Sequence, residues 1–451
     1  MKPLAGLALG GFRGLSLFRS RWSIGRRSIH HLVPSCGHQT EPSDPPPAAD
    51  ATDPRYVLLN SIHCRRDDGS FAAGAKTAAA ESRTFTGRRL RVWFGLAAPP
   101  ASSHLYYHCE GAVPDDFQLI AAHGGSVLFS MKRKLPSSSM MAFDHFVYRA
   151  GTAAGRPPSL SLLPARNFPR HYESVTHPLD PGSRVLQWHD TGLLCRGEDE
   201  TTVVAQLQVG SDHRGQPGMG DLCELRLGWG QWELRQLPIV VDEGHKPMHW
   251  SWGDKTIAVG DRFLCFVDHG SLVLWDAAEE ASPKLRYAPM PVRRLDIYSD
   301  DLPPLENSST TGAAGTGALR HVRIASRCCC GGAGRSSCRH SRFAFTVTTW
   351  TLTLRTDGPM AWVKDGVLDC EELWAMPGYE GLPRAHLEQP VVSLDNPDVV
   401  CFVVSNWFHR VEHEERKAWL IQVDTRKKEL VSVVQCTGDP WSERYRIPTR
   451  F

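Results

Sequence analysis

The stretch from Asp254 to Val292 constrains the fold most. It reads Asp-Lys-Thr-Ile-Ala-Val-Gly, then Phe263-Leu-Cys-Phe-Val-Asp, Ser271-Leu-Val-Leu-Trp-Asp and Lys284-Leu-Arg-Tyr-Ala-Pro-Met-Pro. Four short apolar runs alternate with gaps that hold Gly, Asp and Pro. β-Branched and aromatic residues suit a pleated surface, and the gap residues suit turns, so the pattern predicts successive antiparallel strands. A four-stranded meander of roughly 35 residues cannot bury both of its faces alone, so it needs neighbours of the same kind.

Those neighbours recur along the chain. Apolar runs begin at Tyr56-Val-Leu-Leu-Asn and continue with Leu90-Arg-Val-Trp-Phe, Ser126-Val-Leu-Phe-Ser-Met, His145-Phe-Val-Tyr and Thr201-Thr-Val-Val-Ala-Gln-Leu-Gln-Val. They resume with Phe343-Ala-Phe-Thr-Val-Thr-Thr-Trp, Val399-Val-Cys-Phe-Val-Val and Lys417-Ala-Trp-Leu-Ile-Gln-Val-Asp. A unit with a strand ending in Asp, a polar link and a strand ending near Leu-Pro or Met-Pro appears around 221–239 and 262–291. A related unit covers 399–436, where Trp419-Leu-Ile-Gln-Val-Asp parallels Ser271-Leu-Val-Leu-Trp-Asp. No long helical period falls outside the N-terminus. The expected fold is all-β, with five or six degenerate antiparallel meanders in a β-propeller-like arrangement; two packed antiparallel sheets are the alternative.

Residues 1–35 carry Arg13, Arg19, Arg21, Arg26 and Arg27, with no acid before Glu41. An arginine-rich, acid-free amphipathic start predicts an organelle transit peptide, mitochondrial by its arginine density. A chloroplast address, a secretory signal, and a cytoplasmic or nuclear location for a non-targeting tail are the alternatives. Residues 36–54 read as a Pro/Ala-rich linker, 55–437 as the β domain and 438–451 as a C-terminal tail. Within the domain, 67–83 reads as a loop, and the Gly/Ser/Cys-rich stretch 299–342 as a disordered insertion.

Composition excludes little. A net charge of +2 over 451 residues gives no electrostatic reason to expect nucleic acid. No apolar run is long enough for a transmembrane helix. The 13 cysteines are odd in number and mostly sit in apolar runs, which suits buried free thiols in a reducing compartment.

Chemical motifs are sparse. His409-Arg-Val-Glu-His413 spells a zinc-protease pattern, but that chemistry needs a helix presenting both histidines on one face. Here strand-like runs flank it, so a charged hairpin loop is expected. Cys328, Cys329, Cys330, Cys338 and His340 lack the paired spacing of a zinc knuckle. His63-Cys64, His104 and His108-Cys109 alternate along strands and matter only if the fold gathers them. Asp268, Asp276, Asp365 and Asp424, at strand ends, read as turn caps. Trp229, Trp232, Trp250, Trp252 and Trp275 read as blade-core residues, with an aromatic binding surface as the alternative. No nucleophile elbow, phosphate loop or cofactor fingerprint occurs, and no cofactor or metal is expected.

The order of several segments resembles the plant domain-of-unknown-function family 1618 (DUF1618). The segments are Pro54-Arg-Tyr-Val-Leu-Leu-Asn, Asp144-His-Phe-Val-Tyr-Arg-Ala-Gly and Asp190-Thr-Gly-Leu-Leu-Cys-Arg-Gly. They continue with Phe266-Val-Asp-His-Gly-Ser-Leu-Val-Leu-Trp-Asp, Leu285-Arg-Tyr-Ala-Pro-Met-Pro and Pro390-Val-Val-Ser-Leu-Asp-Asn-Pro-Asp-Val-Val. The resemblance implies kinship with F-box-associated and kelch-type propeller modules that bind other proteins, although no F-box precedes this domain. The expected function is a non-enzymatic protein-interaction module in an organelle, with an unknown protein partner. His249, Trp250, Trp252 and Trp407 are the candidate interaction surface, because large aromatics dominate interface energetics. The alternative is a hydrolase or metal-dependent enzyme using a propeller cleft.

Overall fold

A computed structural model describes residues 55–65, 79–111, 116–134, 141–151, 155–165, 185–197, 201–209, 218–242, 253–268, 270–292, 308–328, 343–406, 417–436 and 446–451. All lie in one compact unit, Ala48–Phe451.

The strands fall into six successive groups. The first holds β1 (Val57–Arg65), β2 (Ala80–Arg83), β3 (Arg89–Gly95) and β4 (Ser102–Cys109). The second holds β5 (Asp116–His123), β6 (Ser126–Lys134), β7 (Met141–Arg149) and β8 (Ser159–Leu162). The third holds β9 (Thr191–Arg196), β10 (Thr201–Val209), β11 (Met219–Arg226) and β12 (Glu233–Val241). The predicted meander is the fourth: β13 (Gly253–Val259), β14 (Phe263–Asp268), β15 (Ser271–Asp276) and β16 (Leu285–Pro289). The fifth holds β17 (Ser309–Ala313), β18 (Ala318–Ser326), β19 (Phe345–Thr353) and β20 (Trp362–Asp369). A short helix, α1 (Cys370–Trp374), leads to the sixth: β21 (Leu387–Val392), β22 (Val399–Ser405), β23 (Ala418–Asp424) and β24 (Glu429–Gln435). Finally β25 (Arg446–Thr449) returns to pair antiparallel with β1, giving blade 1 the order β2-β3-β4-β1-β25.

The first strands of the groups touch in cyclic order: β5 with β9, β9 with β13, β13 with β17, β17 with β21, and β21 with β25, which with β1 meets β5 again. Among the described residues the sheets therefore form six blades of a propeller. An apolar core fills each junction. Between blades 1 and 2 lie Leu90, Phe94, Phe117 and Phe129; between 2 and 3, Leu128, Val147, Leu193 and Val204. Between 3 and 4 lie Leu207, Leu222, Phe266 and Trp275; between 4 and 5, Val259, Leu274, Leu319 and Leu352. Between 5 and 6 lie Val322, Phe345, Val400 and Phe402; between 6 and 1, among the described residues, lie Tyr56, Leu58, Val391 and Cys401 with the partly buried Leu394. Strand alternation explains the two-sided filling: Val57 and Leu59 face blade 2, whereas Tyr56 and Leu58 face blade 6.

Inner strands crowd the axis, and small residues admit the crowding. A Cβ on Gly192 would stand 2.6 Å from the Thr256 methyl, and one on Gly312 would stand 2.9 Å from the Val392 Cβ. At the rim, two blades use the same anchor. Trp232 Nε1 donates to Pro164 O and Trp362 Nε1 to Pro289 O, each 2.9 Å away, tying an outer strand to the preceding blade. Blades 3 and 4 are joined further, because Ile239–Val241 of β12 pair in parallel with β16.

The repeat read in the sequence maps onto equivalent strands: β15 and β23 are both third strands, and their final aspartates cap the following turns. Asp276 accepts from Ala278 N at 3.0 Å, and Asp424 from Lys427 N at 2.8 Å. Asp365 departs from the turn-cap reading. It lies within β20 and binds Arg320 at 2.5 Å.

Three boundaries change. Part of the expected insertion 299–342 is strand, since β17 and β18 occupy Ser309–Ala313 and Ala318–Ser326. Small threonines, glycine and alanine fit the crowded inner position, so β17 lacks the bulky signal of an ordinary strand. The expected tail 438–451 contributes β25, with Arg446 and Thr449 buried. The expected loop 67–83 contributes β2, paired with β3.

Candidate functional site

The four candidate interaction residues His249, Trp250, Trp252 and Trp407 lie outside the described residues, as does His409–His413. Of the cysteine-rich stretch only Cys328 is described, and it is partly buried. His104 and His108 are partly buried on β4, and Cys109 is buried; the side chains of His63 and Cys64 are not described. Among the described residues no group of three or more His, Cys, Asp or Glu gathers in a way that could hold a metal. The tryptophans divide: Trp275 is core, Trp232 anchors a blade, and Trp229 is 58% exposed with the Arg226 guanidinium 4.6 Å above its ring. Trp229 thus departs from the core reading.

Two arrangements stand out instead. The first is the outer edge of blades 5 and 6. β20 exposes Val363 and Val367, and β24 exposes Val431, Val433 and Val434. β24 ends the order β21-β22-β23-β24, so its outer backbone edge meets no further strand among the described residues. β-Branched residues hold this strand extended, and a bulge opposite Gln422 and Val423 shifts its alternation. An open sheet edge with exposed apolar side chains is a template on which another strand can pair.

The second is the seam where the ring closes between blades 6 and 1. Asn60 of β1 stands opposite Arg446 of β25. Arg446 is 7% exposed, and its Nη2 donates to Gln389 O at 3.1 Å. Its Nε and Nη1 are buried without a partner, as is the Oε1 of Gln389. Gln389 is 6% exposed and has φ +52°, within the irregular stretch of β21 between Glu388 and Val391. Nearby, Gln422 Nε2 donates to the Tyr56 hydroxyl at 3.3 Å and approaches Cys401 Sγ at 3.6 Å. Burial raises the pKa of both the Tyr56 hydroxyl and the Cys401 thiol, so these neighbours are neutral. Asp395, six residues after Gln389, pairs instead with Arg450 at 3.2 Å.

Two histidines are held elsewhere, His123 at a junction and His321 inside blade 5. Cys195 N donates to His123 Nδ1 at 3.1 Å, and the His123 ring also hydrogen-bonds the Gly260 backbone, linking blades 2, 3 and 4. Burial lowers its pKa to about 4. His321 meets Thr311 Oγ1 at 3.0 Å and packs against Trp350 and Trp362; burial, then the charges of Lys255 and Arg323, lower its pKa to about 3. Both histidines are neutral, and His123 links blades.

Sequence reasoning missed Arg446 and Gln389. The one signal was Arg446-Ile-Pro-Thr, a run too short to read as a strand without its partner β1.

No curated protein matches the chain. Among solved structures it is similar to a mutant NanB sialidase from Streptococcus pneumoniae, at 9% identity and TM-score 0.30, covering 73% of this chain and 66% of that one. It is also similar to a mutant GH32 β-fructofuranosidase from Bombyx mori in complex with sucrose, at 9% identity and TM-score 0.21, covering 88% of this chain and 89% of that one. Residues 236–401, from β12 to β22, match the family described as protein of unknown function DUF1618.

Proposed function

We propose that this chain is a non-enzymatic protein-interaction module that receives an extended segment of a partner protein along β24. The observation that carries the reading is the row of exposed valines, Val431, Val433 and Val434, on an outer edge strand. An added strand would satisfy the edge backbone groups, and its alternate side chains would cover the valines. The module is further proposed to act in mitochondria, an address supported by the arginine-rich, acid-free composition of residues 1–35.

The test compares the full chain with a Val431→Lys/Val433→Lys double variant in crosslinking capture, alongside thermal melting of both. A defined partner retained by the parent and lost by the variant, at unchanged melting temperature, supports the edge. Equal retention by both chains refutes it. Import of the full chain into isolated mitochondria, against a chain lacking residues 1–35, tests the address.

A further inference from the structure

We propose that the seam between blades 6 and 1 is a binding site for a small oxyanion, a carboxylate or phosphate group, held by the Arg446 guanidinium beside Gln389. The proposal is independent of the edge-strand reading.

A guanidinium offers five N–H donors in a rigid fork. Arg446 uses one of them, from Nη2 to Gln389 O. Nε and both hydrogens of Nη1 are unused. Whichever hydrogen of Nη2 makes the bond, one complete two-pronged edge is left over, either Nε with Nη2 or Nη1 with Nη2. That fork matches the two oxygens of a carboxylate or phosphate.

Nothing among the described residues supplies a charge to fill it. Among the described residues no carboxylate pairs with Arg446, and Tyr56, Cys401 and Gln422 are neutral. Burying a charge without a partner is strongly unfavourable, which favours an added acceptor at this place. Gln389 adds a second orphaned polar atom at the same place. It can present either end of its amide, so it serves a phosphate hydroxyl or an ionised oxygen. Its left-handed φ, rare in a side chain of this kind, fixes the carbonyl that orients Arg446. The bound anion would join β21 to β25 and tighten the ring where its apolar core is thinnest.

Calorimetric titration and thermal melting of the purified full chain test this, using inorganic phosphate and acetate against chloride at matched ionic strength. A saturable rise in melting temperature of several degrees with phosphate, acetate or both supports the site, and which of them acts identifies the source. Arg446→Gln should weaken binding at least tenfold. Because that variant can fail to fold, Gln389→Glu serves as the second: a carboxylate built into the seam should raise the melting temperature in chloride and abolish the anion response. Two results would overturn the proposal: no saturable response of the parent chain to either anion, or an undiminished response in Gln389→Glu.

Discussion

The junction between blades 5 and 6 and the seam between blades 6 and 1 use the same blade in opposite ways. On one face of blade 6, Val400, Phe402, Val404, Ile421 and Val423 join a large apolar core with Val322, Phe345, Val347 and Leu368 of blade 5. On the other face, among the described residues, Cys401 and Val391 meet Tyr56 and Leu58 with the partly buried Leu394, beside Asn60, Gln389, Gln422 and Arg446. The chain runs continuously from blade 5 into blade 6, through a helix whose Asp369 makes a capping box with Glu372. The seam must instead be found by segments nearly 400 positions apart, so closing it carries the largest loop entropy in the molecule. Apolar burial holds the continuous junctions, whereas backbone pairing and directional polar bonds hold the closure.

The largest expected effect follows from that difference. Removing residues 446–451 deletes β25 and the Phe451 ring that lies 5.1 Å from Phe94. Equilibrium denaturation should show a loss of roughly 4–5 kcal/mol or more, in the range kept for broken networks and emptied cores. Near-parental stability would mean that the ring does not depend on its closure.

Next in size, Phe402→Ala in the large core should cost about 3–5 kcal/mol. Native-state hydrogen exchange should then show β1 and β25 opening at lower free energy than β22 and β23 in the parent chain. The comparison fails if the seam strands are the better protected.

Acid should separate the seam from the parts of the ring that hold buried neutral histidines. His123 and His321 are neutral in the folded chain, with pKa values about 4 and about 3, whereas an unfolded histidine titrates near 6.5. The unfolded chain therefore binds protons first, and stability is lost as pH falls from about 6.5 towards 4. His123 alone should account for on the order of 2–3 kcal/mol across that window. His123→Gln should flatten the slope in denaturation series between pH 7 and pH 4. Gln422→Leu in the seam should leave it unchanged, because Tyr56 and Cys401 titrate far above that range. An unaltered slope in His123→Gln would remove the histidine staple from the account.

The smallest effect belongs to the connection itself. Glu372 bonds Asp369 N at 3.0 Å and Lys428 Nζ at 2.5 Å, both exposed. Glu372→Ala should lower stability by about 0.5–1 kcal/mol. A loss several times larger, measured by denaturant titration, would show that this junction leans on its surface contacts rather than its core.

The sequence by itself determined the strands whose burial is ordinary. Val, Ile, Phe and Trp at alternating positions, broken by Gly, Asp and Pro, specify a meander wherever a strand packs between two blades, and 254–292 is read correctly for that reason. It determined the family match over 236–401 and the equivalence of Trp419–Asp424 with Ser271–Asp276. Only the tertiary structure decided the number of blades, and only it found β17 and β25. β17 is innermost, where space favours Ser-Thr-Thr-Gly-Ala over bulky residues, so its composition imitates a loop. β25 is a strand only because β1, far away in sequence, offers its edge. Arg446 and Gln389 acquire meaning in the same way: burial and orphaned donors are properties of a neighbourhood that closure creates, and no local pattern of residues encodes them.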